Sequence, residues 1–173
     1  MKRFLVYLLV IVVTVSLGFG IFYLVRDNEL ISISDTSLYK DVNDNFTIKL
    51  NRQHKKNSTK VSLTQSNPDV LQHNADGSFT AIAGGISRVN YRTNNAKFRN
   101  LWCDVIVGDG SVDFPFYIDS AEKLSEIGTD KYPSDKCYKL VDDIDMSGLL
   151  STPWKPIANF SGIFDGNGHT ISG

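Results

Sequence analysis

The sequence is poor in the residues that build disulfide frameworks and metal centres, with two Cys and three His in 173 residues. Two Cys far apart, Cys103 and Cys137, do not make a disulfide framework. The His residues are scattered, without the spacing of metal ligands. The sequence also has no Gly-x-Ser-x-Gly motif, phosphate-binding loop or paired-Cys motif. We therefore expect a protein that is not an enzyme and that has no catalytic residues, metal or cofactor.

Charge is missing altogether from one long stretch, which begins at Phe4 and ends at Val25. As a helix this stretch would reach roughly 33 Å, enough to cross a hydrocarbon core about 30 Å thick. Lys2 and Arg3 precede it, so the positive-inside rule keeps the short N-terminus in the cytoplasm. We expect a signal anchor over residues 4–25, within an N-terminal region 1–29, that passes once through the lipid bilayer. The alternative is a cleaved signal peptide, whose apolar core is usually shorter.

After the anchor, charge of the two signs is unevenly distributed. Residues 31–108 contain ten Lys or Arg and six Asp or Glu, whereas residues 109–173 contain five and eleven. We interpret this switch as two extracellular modules, 30–108 and 114–173, joined by a linker at 109–113. Opposite charge would attract one module to the other. The alternative is that each module simply has a solvated surface.

The first module has the pattern of short β-strands. Apolar residues alternate with polar ones, and clusters of Asn, Asp, Gly and Ser separate the segments. Six or seven strands in fewer than eighty residues predict a β-sandwich rather than a parallel α/β sheet. Parity places Cys103 in the core, where a free thiol behaves as a small apolar group. The alternating residues are Phe46, Ile48, Leu50, Val61, Leu63, Ser87, Val89, Tyr91, Cys103, Val105 and Val107.

Residues 66–85 have the order strand, Asp-Gly, strand, Gly-Gly, strand. Asp-Gly suits a tight hairpin turn, and Gly-Gly allows a chain reversal that bulky residues would resist. In this order the stretch resembles the bacterial immunoglobulin-like domains of group two, which occur in surface proteins. The resemblance covers residues 30–108 and implies a spacer or a part of an adhesin.

This resemblance is incomplete at two core positions. Leu63 stands where the family often has Trp, and Ser87 replaces a usual Ala. These departures imply a core that is smaller or looser than is typical of the family, without changing the expected sandwich.

The second module opens with a strand and a short helix, FYIDSAEKLSEIG, at residues 116–128. Asp119 can cap this helix, Glu122 can complete a capping box, and Gly128 can end the helix. Three apolar residues would share the buried face of the helix: Ala121, Leu124 and Ile127. Four more lie on one parity in the next segment: Tyr138, Leu140, Ile144 and Met146.

The last fourteen residues read FSGIFDGNGHTISG. Together with the preceding strand and helix, they resemble the start of right-handed β-helix regions in bacterial surface proteins, which often carry GLUG-type repeats. The resemblance covers residues 114–173 and implies that the helix covers the open end of the solenoid. Since about three or more repeats are usually needed, we expect a truncated β-helix. It would be a fragment, a truncated reading frame, or a chain that another polypeptide completes.

Two sets of residues are candidates for binding. Arg52, Lys55 and Lys56 form a basic patch that suits anionic wall polymers, glycans or lipid headgroups, and the alternative is an ordinary solvated loop. The second set consists of outward-facing apolar residues that are expected to pack the modules together, or alternatively to form a small glycan-stacking platform. This set is Trp102, Ile106 and Trp154.

Acidic residues of the second module are weaker candidates. Asp142, Asp143 and Asp145 would suit calcium binding or the paired carboxylates of a sugar-cleaving enzyme, but they also fit a structural pattern. The segment DGNGH at 165–169 resembles half of a calcium loop and lacks the downstream Glu. We expect a turn there and a structural role for the other acids.

These observations predict a mainly β, single-pass surface protein at the cell membrane, with its bulk outside the cell. We expect it to act as a spacer or adhesive module that contacts wall polymer, an extracellular glycan or another protein, and not nucleic acid. One alternative is the N-terminal part of a polysaccharide-acting β-helix enzyme, and another is a degenerate remnant.

Overall fold

A computed structural model describes residues 30–53, 60–93, 101–149 and 156–173 of the chain. The predicted anchor at residues 4–25 lies outside these ranges. Within them, no helix combines the length and the apolar character needed to cross a membrane. The described chain is mainly β-structure, as the alternating pattern predicts.

The described part of the chain consists of short strands with one short α-helix, α1 (Ala121–Ser125), and one 3-10 turn (Ser147–Leu149). The strands are β1 (Leu30–Ile33), β2 (Ser37–Asp41), β3 (Asn45–Phe46), β4 (Leu50–Gln53), β5 (Val61–Gln65), β6 (Leu71–His73), β7 (Phe79–Ala81), β8 (Gly85–Thr93), β9 (Leu101–Gly108), β10 (Phe116–Ile118), β11 (Cys137–Leu140), β12 (Ile144–Asp145), β13 (Ile163–Asp165) and β14 (Ile171–Ser172).

The chain divides into two compact units. In the smaller unit, β1 and β4 pair antiparallel, with Ile33 opposite Leu50. The side-chain amide of Asn51 also donates a 3.1 Å hydrogen bond to Oγ of Ser34. The smaller unit comprises Met1–Ser34, Lys49–Ser62 and Tyr91–Leu101, and the larger one comprises Asp35–Ile48, Leu63–Asn90 and Trp102–Gly173.

The first part of the larger unit is built on two sheets, with strand orders β2-β9-β8-β5 and β3-β7-β6. Strands β8 and β9 alternate between buried and more exposed side chains, so one face of each lies in the core. Cys103 and Ser87 are both fully buried, which confirms the predicted parity. Oγ of Ser87 accepts a hydrogen bond from the backbone N–H of Asn67 at 3.2 Å, so its hydroxyl is paired inside the core.

The predicted Asp-Gly turn joins β6 to β7, which pair antiparallel. Gly77 has a φ of +87°, a value that favours glycine. Oδ1 of Asp76 accepts hydrogen bonds from the hydroxyl and the backbone N–H of Ser78 at 2.7 and 2.9 Å. These bonds lower the pKa of Asp76. The hairpin prediction is confirmed.

The second part of the larger unit uses parallel pairing. Strands β10, β11 and β13 form one sheet, and β12 pairs with β14. Their inward side chains form a core with those of α1, and all four residues of the predicted parity are buried in it. This core contains Ile118, Leu124, Ile127, Tyr132, Tyr138, Leu140, Ile144 and Met146.

The predicted cap of α1 at Asp119 is wrong by one residue. Ser120 is the N-cap, because its backbone is extended and its side chain accepts a hydrogen bond from the N–H of Lys123. The helix also ends at Ser125, before Gly128, with Glu126 as its C-cap. The buried helix face is as predicted, since Leu124 and Ile127 lie in the core and Ala121 packs against it.

Candidate functional site

A buried carboxylate at the end of β2 connects the two parts of the larger unit. Asp41 is 4% exposed. Its Oδ2 accepts a 2.7 Å hydrogen bond from the hydroxyl of Tyr132 and lies 2.8 Å from Nζ of Lys123. Its Oδ1 is buried without a hydrogen-bond partner in the described chain. Lys123 of α1 therefore balances the charge of Asp41, and the neutral hydroxyl of Tyr132 adds a hydrogen bond.

Burial raises the cost of the Asp41 charge and the pKa of Tyr132. A charge removed from water is costly to bury unless an opposite charge and hydrogen bonds compensate it. Burial, followed by the hydrogen bond to the Asp41 carboxylate, raises the pKa of Tyr132 far above its ordinary value. Tyr132 therefore remains a hydrogen-bond donor across the physiological pH range.

The outward faces of the strands determine which residues meet at the surface. Parallel register puts Tyr117, Lys139 and Asp165 side by side on β10, β11 and β13. They alternate with core residues of the same strands, so they lie on the face opposite the core. On β2 and β9, Tyr39 lies opposite Ile106. The rings of Tyr39 and Tyr117 contact each other, with centroids 4.8 Å apart and planes tilted by 40°.

An open cleft of about 400 Å³ lies beside this ring pair, and we call it the tyrosine cleft. Lys139 and Asp165 form an ion pair of 2.9 Å along it. Three of its wall residues, Ile86, Val112 and Ile163, are exposed apolar side chains. The residues that matter for its chemistry are Tyr39, Ile106, Asp113, Tyr117, Lys139 and Asp165.

The polar groups of the tyrosine cleft are partly unpaired. Tyr117 is 8% exposed, and neither its hydroxyl nor that of Tyr39 has a hydrogen-bond partner among the residues described. Burial, followed by charge repulsion from the phenol oxygen of Tyr39 and from the carboxylate of Asp109, raises the pKa of Tyr117. The ammonium of Lys139 and a backbone N–H lower the pKa of Asp165. Tyr117 thus stays protonated while Asp165 stays charged at neutral pH.

Two of the three predicted apolar residues, Trp102 and Ile106, lie within the described chain, both on β9. Ile106 lines the tyrosine cleft, whereas Trp102 is not among its lining residues and Trp154 lies outside the described residues. The guanidinium of Arg88 lies 4.2 Å from the centroid of the Trp102 ring and binds both carboxylate oxygens of Asp104 at 2.7 Å. Trp102 is 36% exposed and takes part in a surface cation–π contact.

The predicted basic patch is only partly within the described chain. The backbone of Arg52 belongs to β4, and its side chain is not described. Lys55 and Lys56 lie in the segment 54–59, outside the described residues. The patch therefore remains a prediction from the sequence.

The predicted acidic residues stabilise turns. Oδ1 of Asp143 accepts a 2.8 Å hydrogen bond from the N–H of Thr170 and lies 3.3 Å from Nδ1 of His169. Asp142 accepts from the N–H of Asp143, and Asp145 accepts from that of Ser147. In the ranges that the structure describes, no group of three or more His, Cys, Asp or Glu side chains could hold a metal ion.

The DGNGH segment forms a turn, as expected. Asn167 and Gly168 have φ values of +46° and +79°, and the N–H of His169 donates to the carbonyl of Gly166 at 2.8 Å. Positive φ at both central residues is typical of a type I′ turn. The side chain of Asn167 donates to the carbonyl of Leu140 at 3.1 Å, which attaches this turn to β11.

A second cavity, of about 430 Å³, opens beside β13 and β14. It extends the apolar core to the surface, and Phe160 and Ile171 on its walls are exposed. The cavity is lined by Leu124, Met146, Ile157, Phe160, Phe164, Ile171 and Gly173.

Sequence reasoning missed most of the tyrosine cleft. Tyr117, Lys139 and Asp165 are separated along the chain by whole strands and loops, and only the parallel register makes them neighbours. A short sequence motif cannot encode contacts between residues that lie more than twenty positions apart in the chain. The sequence did indicate one residue of the cleft, because the alternation along β9 predicts that Ile106 faces outward.

Comparison with protein-family models finds no match for this chain. Over 81 residues the chain is 40% identical to halomucin from Haloquadratum walsbyi, a match that covers 39% of this chain and 1% of halomucin. A crystal structure of domains 4 and 5 of the S-layer protein SbsC aligns with a TM-score of 0.35 and 12% identity, over 46% of this chain and 53% of that one. The chain thus spans a small part of halomucin and about half of the SbsC chain.

Proposed function

We propose that this chain is a membrane-anchored surface protein that works outside the cell as a non-catalytic spacer or binding module. The observation that carries the proposal is the open tyrosine cleft, which lies within a single compact unit. The two parts of that unit are joined by the buried Asp41–Lys123 ion pair. Residues 4–25 are its anchor, and the N-terminus is cytoplasmic. The 81-residue similarity to a protein named halomucin fits a location at the cell surface.

Within this proposal, residues 30–108 are a bacterial immunoglobulin-like domain and residues 114–173 begin a right-handed β-helix. The β6–β7 hairpin at Asp-Gly and the two sheets around the Cys103 core support the first assignment. Parallel pairing supports the second, because Tyr138 lies opposite Phe164 and Ile144 lies opposite Ile171 after comparable lengths of chain. Strands that return to the same sheet in parallel are typical of a solenoid.

A binding role fits the acidic residues better than the enzyme alternative does. Asp142 and Asp145 accept backbone N–H groups one and two residues ahead of them, and Asp143 accepts that of the distant Thr170. These hydrogen bonds give each carboxylate a structural role. Arg52, Lys55 and Lys56 are the proposed contact to anionic wall polymer, because positive charges close together in the sequence attract a polyanion.

The polymer contact is tested with the full chain in lipid nanodiscs. We expect teichoic-acid-type polymer to bind, and the double variant Lys55→Glu/Lys56→Glu to bind at least tenfold more weakly at low salt. The variant Lys49→Glu/Lys136→Glu makes the same change in net charge at exposed positions elsewhere and should bind as the wild type does. Equal binding by all three proteins would contradict a role for the basic patch.

A further inference from the structure

The tyrosine cleft combines apolar walls with hydrogen-bonding groups of both kinds. Ile106 and the rings of Tyr39 and Tyr117 supply apolar surface. The carboxylates of Asp113 and Asp165 accept hydrogen bonds, and the ammonium of Lys139 donates them. Small-molecule sites are typically concave, mostly apolar, and equipped with a few such polar groups.

We propose that the tyrosine cleft binds a neutral oligosaccharide. This inference rests on the proposed binding role and names the ligand class for a site other than the basic patch. A sugar ring has apolar C–H faces that pack on aromatic and aliphatic side chains, and hydroxyls that both donate and accept. The two phenol hydroxyls support such a ligand, because neither has a hydrogen-bond partner in the described chain and each can donate to or accept from a sugar hydroxyl.

The charge of the cleft selects against anionic sugars. Its ionisable side chains besides tyrosine and cysteine are Asp113, Lys139 and Asp165, and Lys139 already forms an ion pair with Asp165. Asp113 has no cationic partner in the described ranges. A uronic acid would therefore meet net negative charge, whereas a neutral sugar hydroxyl can donate to Asp113. The volume of about 400 Å³ lies within the range of small-ligand sites and suits a short oligosaccharide better than a long polymer segment.

A cysteine in the wall provides a readout that does not depend on activity. Cys137 lines the cleft and is partly exposed. Cys103 is fully buried, and burial raises its pKa to about 11. Because the thiolate is the reactive form, a maleimide at pH 7.5 should label Cys137 and spare Cys103. Bound sugar should slow the labelling of Cys137.

The test uses the full chain in nanodiscs with maltotriose, mannotriose and chitotriose as neutral probes and trigalacturonate as an anionic one. We expect at least one neutral trisaccharide to bind in calorimetry with millimolar or better affinity and to slow Cys137 labelling at least threefold. Trigalacturonate should do neither. Failure of all three neutral sugars at 10 mM, or binding of trigalacturonate alone, would overturn the assignment. Binding of a neutral sugar without protection of Cys137 would place the site elsewhere and would also overturn it.

Two variants test the named groups. Asp113→Ala removes an exposed acceptor and should weaken binding of the neutral sugar about tenfold, and Tyr39→Phe keeps the ring and should weaken it about fivefold. Asp69→Asn, an exposed acid outside the cleft lining, should leave affinity unchanged. Unchanged affinity in both Asp113→Ala and Tyr39→Phe would contradict the proposal. Failure of the cleft to bind sugar would overturn this inference alone. The polymer contact is tested separately at Lys55 and Lys56, and the surface location is tested by labelling intact cells.

Discussion

The hydroxyl of Tyr132 donates a 2.7 Å hydrogen bond to Oδ2 of Asp41, which precedes it by 91 residues. Lys123 binds the same oxygen at 2.8 Å. The uneven charge of the two sequence regions left two interpretations: attraction between a positive first module and a negative second one, or an ordinary solvated surface on each. The buried pair has the opposite polarity, since its anion comes from the first region and its cation from the second. Local burial, and not net charge, therefore determines this contact.

Lys123→Met should destabilise the larger unit by about 3 kcal/mol, because it leaves the buried carboxylate of Asp41 without its cation. Chemical denaturation of the full chain in detergent micelles measures the loss. Lys131→Met is the matched control: its exposed ammonium lies 4.9 Å from the Tyr132 ring, and its removal should cost less than about 1 kcal/mol.

The double variant Asp41→Leu/Lys123→Met separates the loss of the pair from the burial of an unpaired charge. Replacing both partners by apolar residues should cost less than the sum of the two single variants. A Lys123→Met protein as stable as the wild type would show that the ion pair contributes nothing to the fold.

Gly162→Ala should destabilise the parallel sheet by about 1–3 kcal/mol, because an added Cβ would collide with the carbonyl oxygen of Lys136 at the start of β13. Gly166→Ala is the control, since a Cβ there meets no atom within 4 Å, and its effect should stay within about 0.5 kcal/mol. Thermal unfolding and hydrogen exchange of the β13 amides measure both. Equal stability of the two variants would contradict the close approach of β11 and β13.

Acid should weaken the turn that Asp143 stabilises. The N–H of Thr170, and to a lesser extent His169, lowers the pKa of Asp143 below its ordinary value of 3.8. A carboxyl with a lowered pKa in the folded state stabilises the fold above the unfolded pKa, and this contribution is lost as pH falls through the folded pKa. The protection factor of the Thr170 amide should therefore hold from neutral pH to about pH 4 and decline in stronger acid.

Asp143→Asn supplies the comparison for this pH dependence. It removes the titrating group, so the acid-dependent part of the Thr170 protection should disappear. An Asp143 carboxyl that titrates at or above 3.8 in carbon NMR would contradict the hydrogen bond as described.

Local patterns predicted the local features of this fold. Period-two alternation identified the buried faces of β8 and β9, since the side chains of a strand alternate regardless of its neighbours. The Asp-Gly turn and the buried face of α1 follow from local chemistry in the same way. The cap was misplaced by one residue because Asp119 and Ser120 are both good capping residues, and the folded structure gives the hydrogen bond from the N–H of Lys123 to Ser120.

Features that depend on long-range register could not be predicted. The tyrosine cleft requires β10, β11 and β13 to align so that Tyr117, Lys139 and Asp165 form one row. That alignment joins residues from three separate strands, and no local pattern specifies it. The contact between the rings of Tyr117 and Tyr39 likewise joins strands that are distant in the sequence. The sequence around an individual Tyr or Asp does not show which residue of a distant strand it will contact.

The location of the module is tested most directly by labelling Cys137 in intact cells with a membrane-impermeant maleimide. Cys137 is partly exposed and Cys103 is buried, so the native chain should acquire a single label. A surface module anchored by residues 4–25 should be labelled in intact cells as fully as in lysed ones, and a Cys137→Ser variant should remain unlabelled in both. Labelling of Cys137 only after lysis would place the module inside the cell and contradict the proposed function.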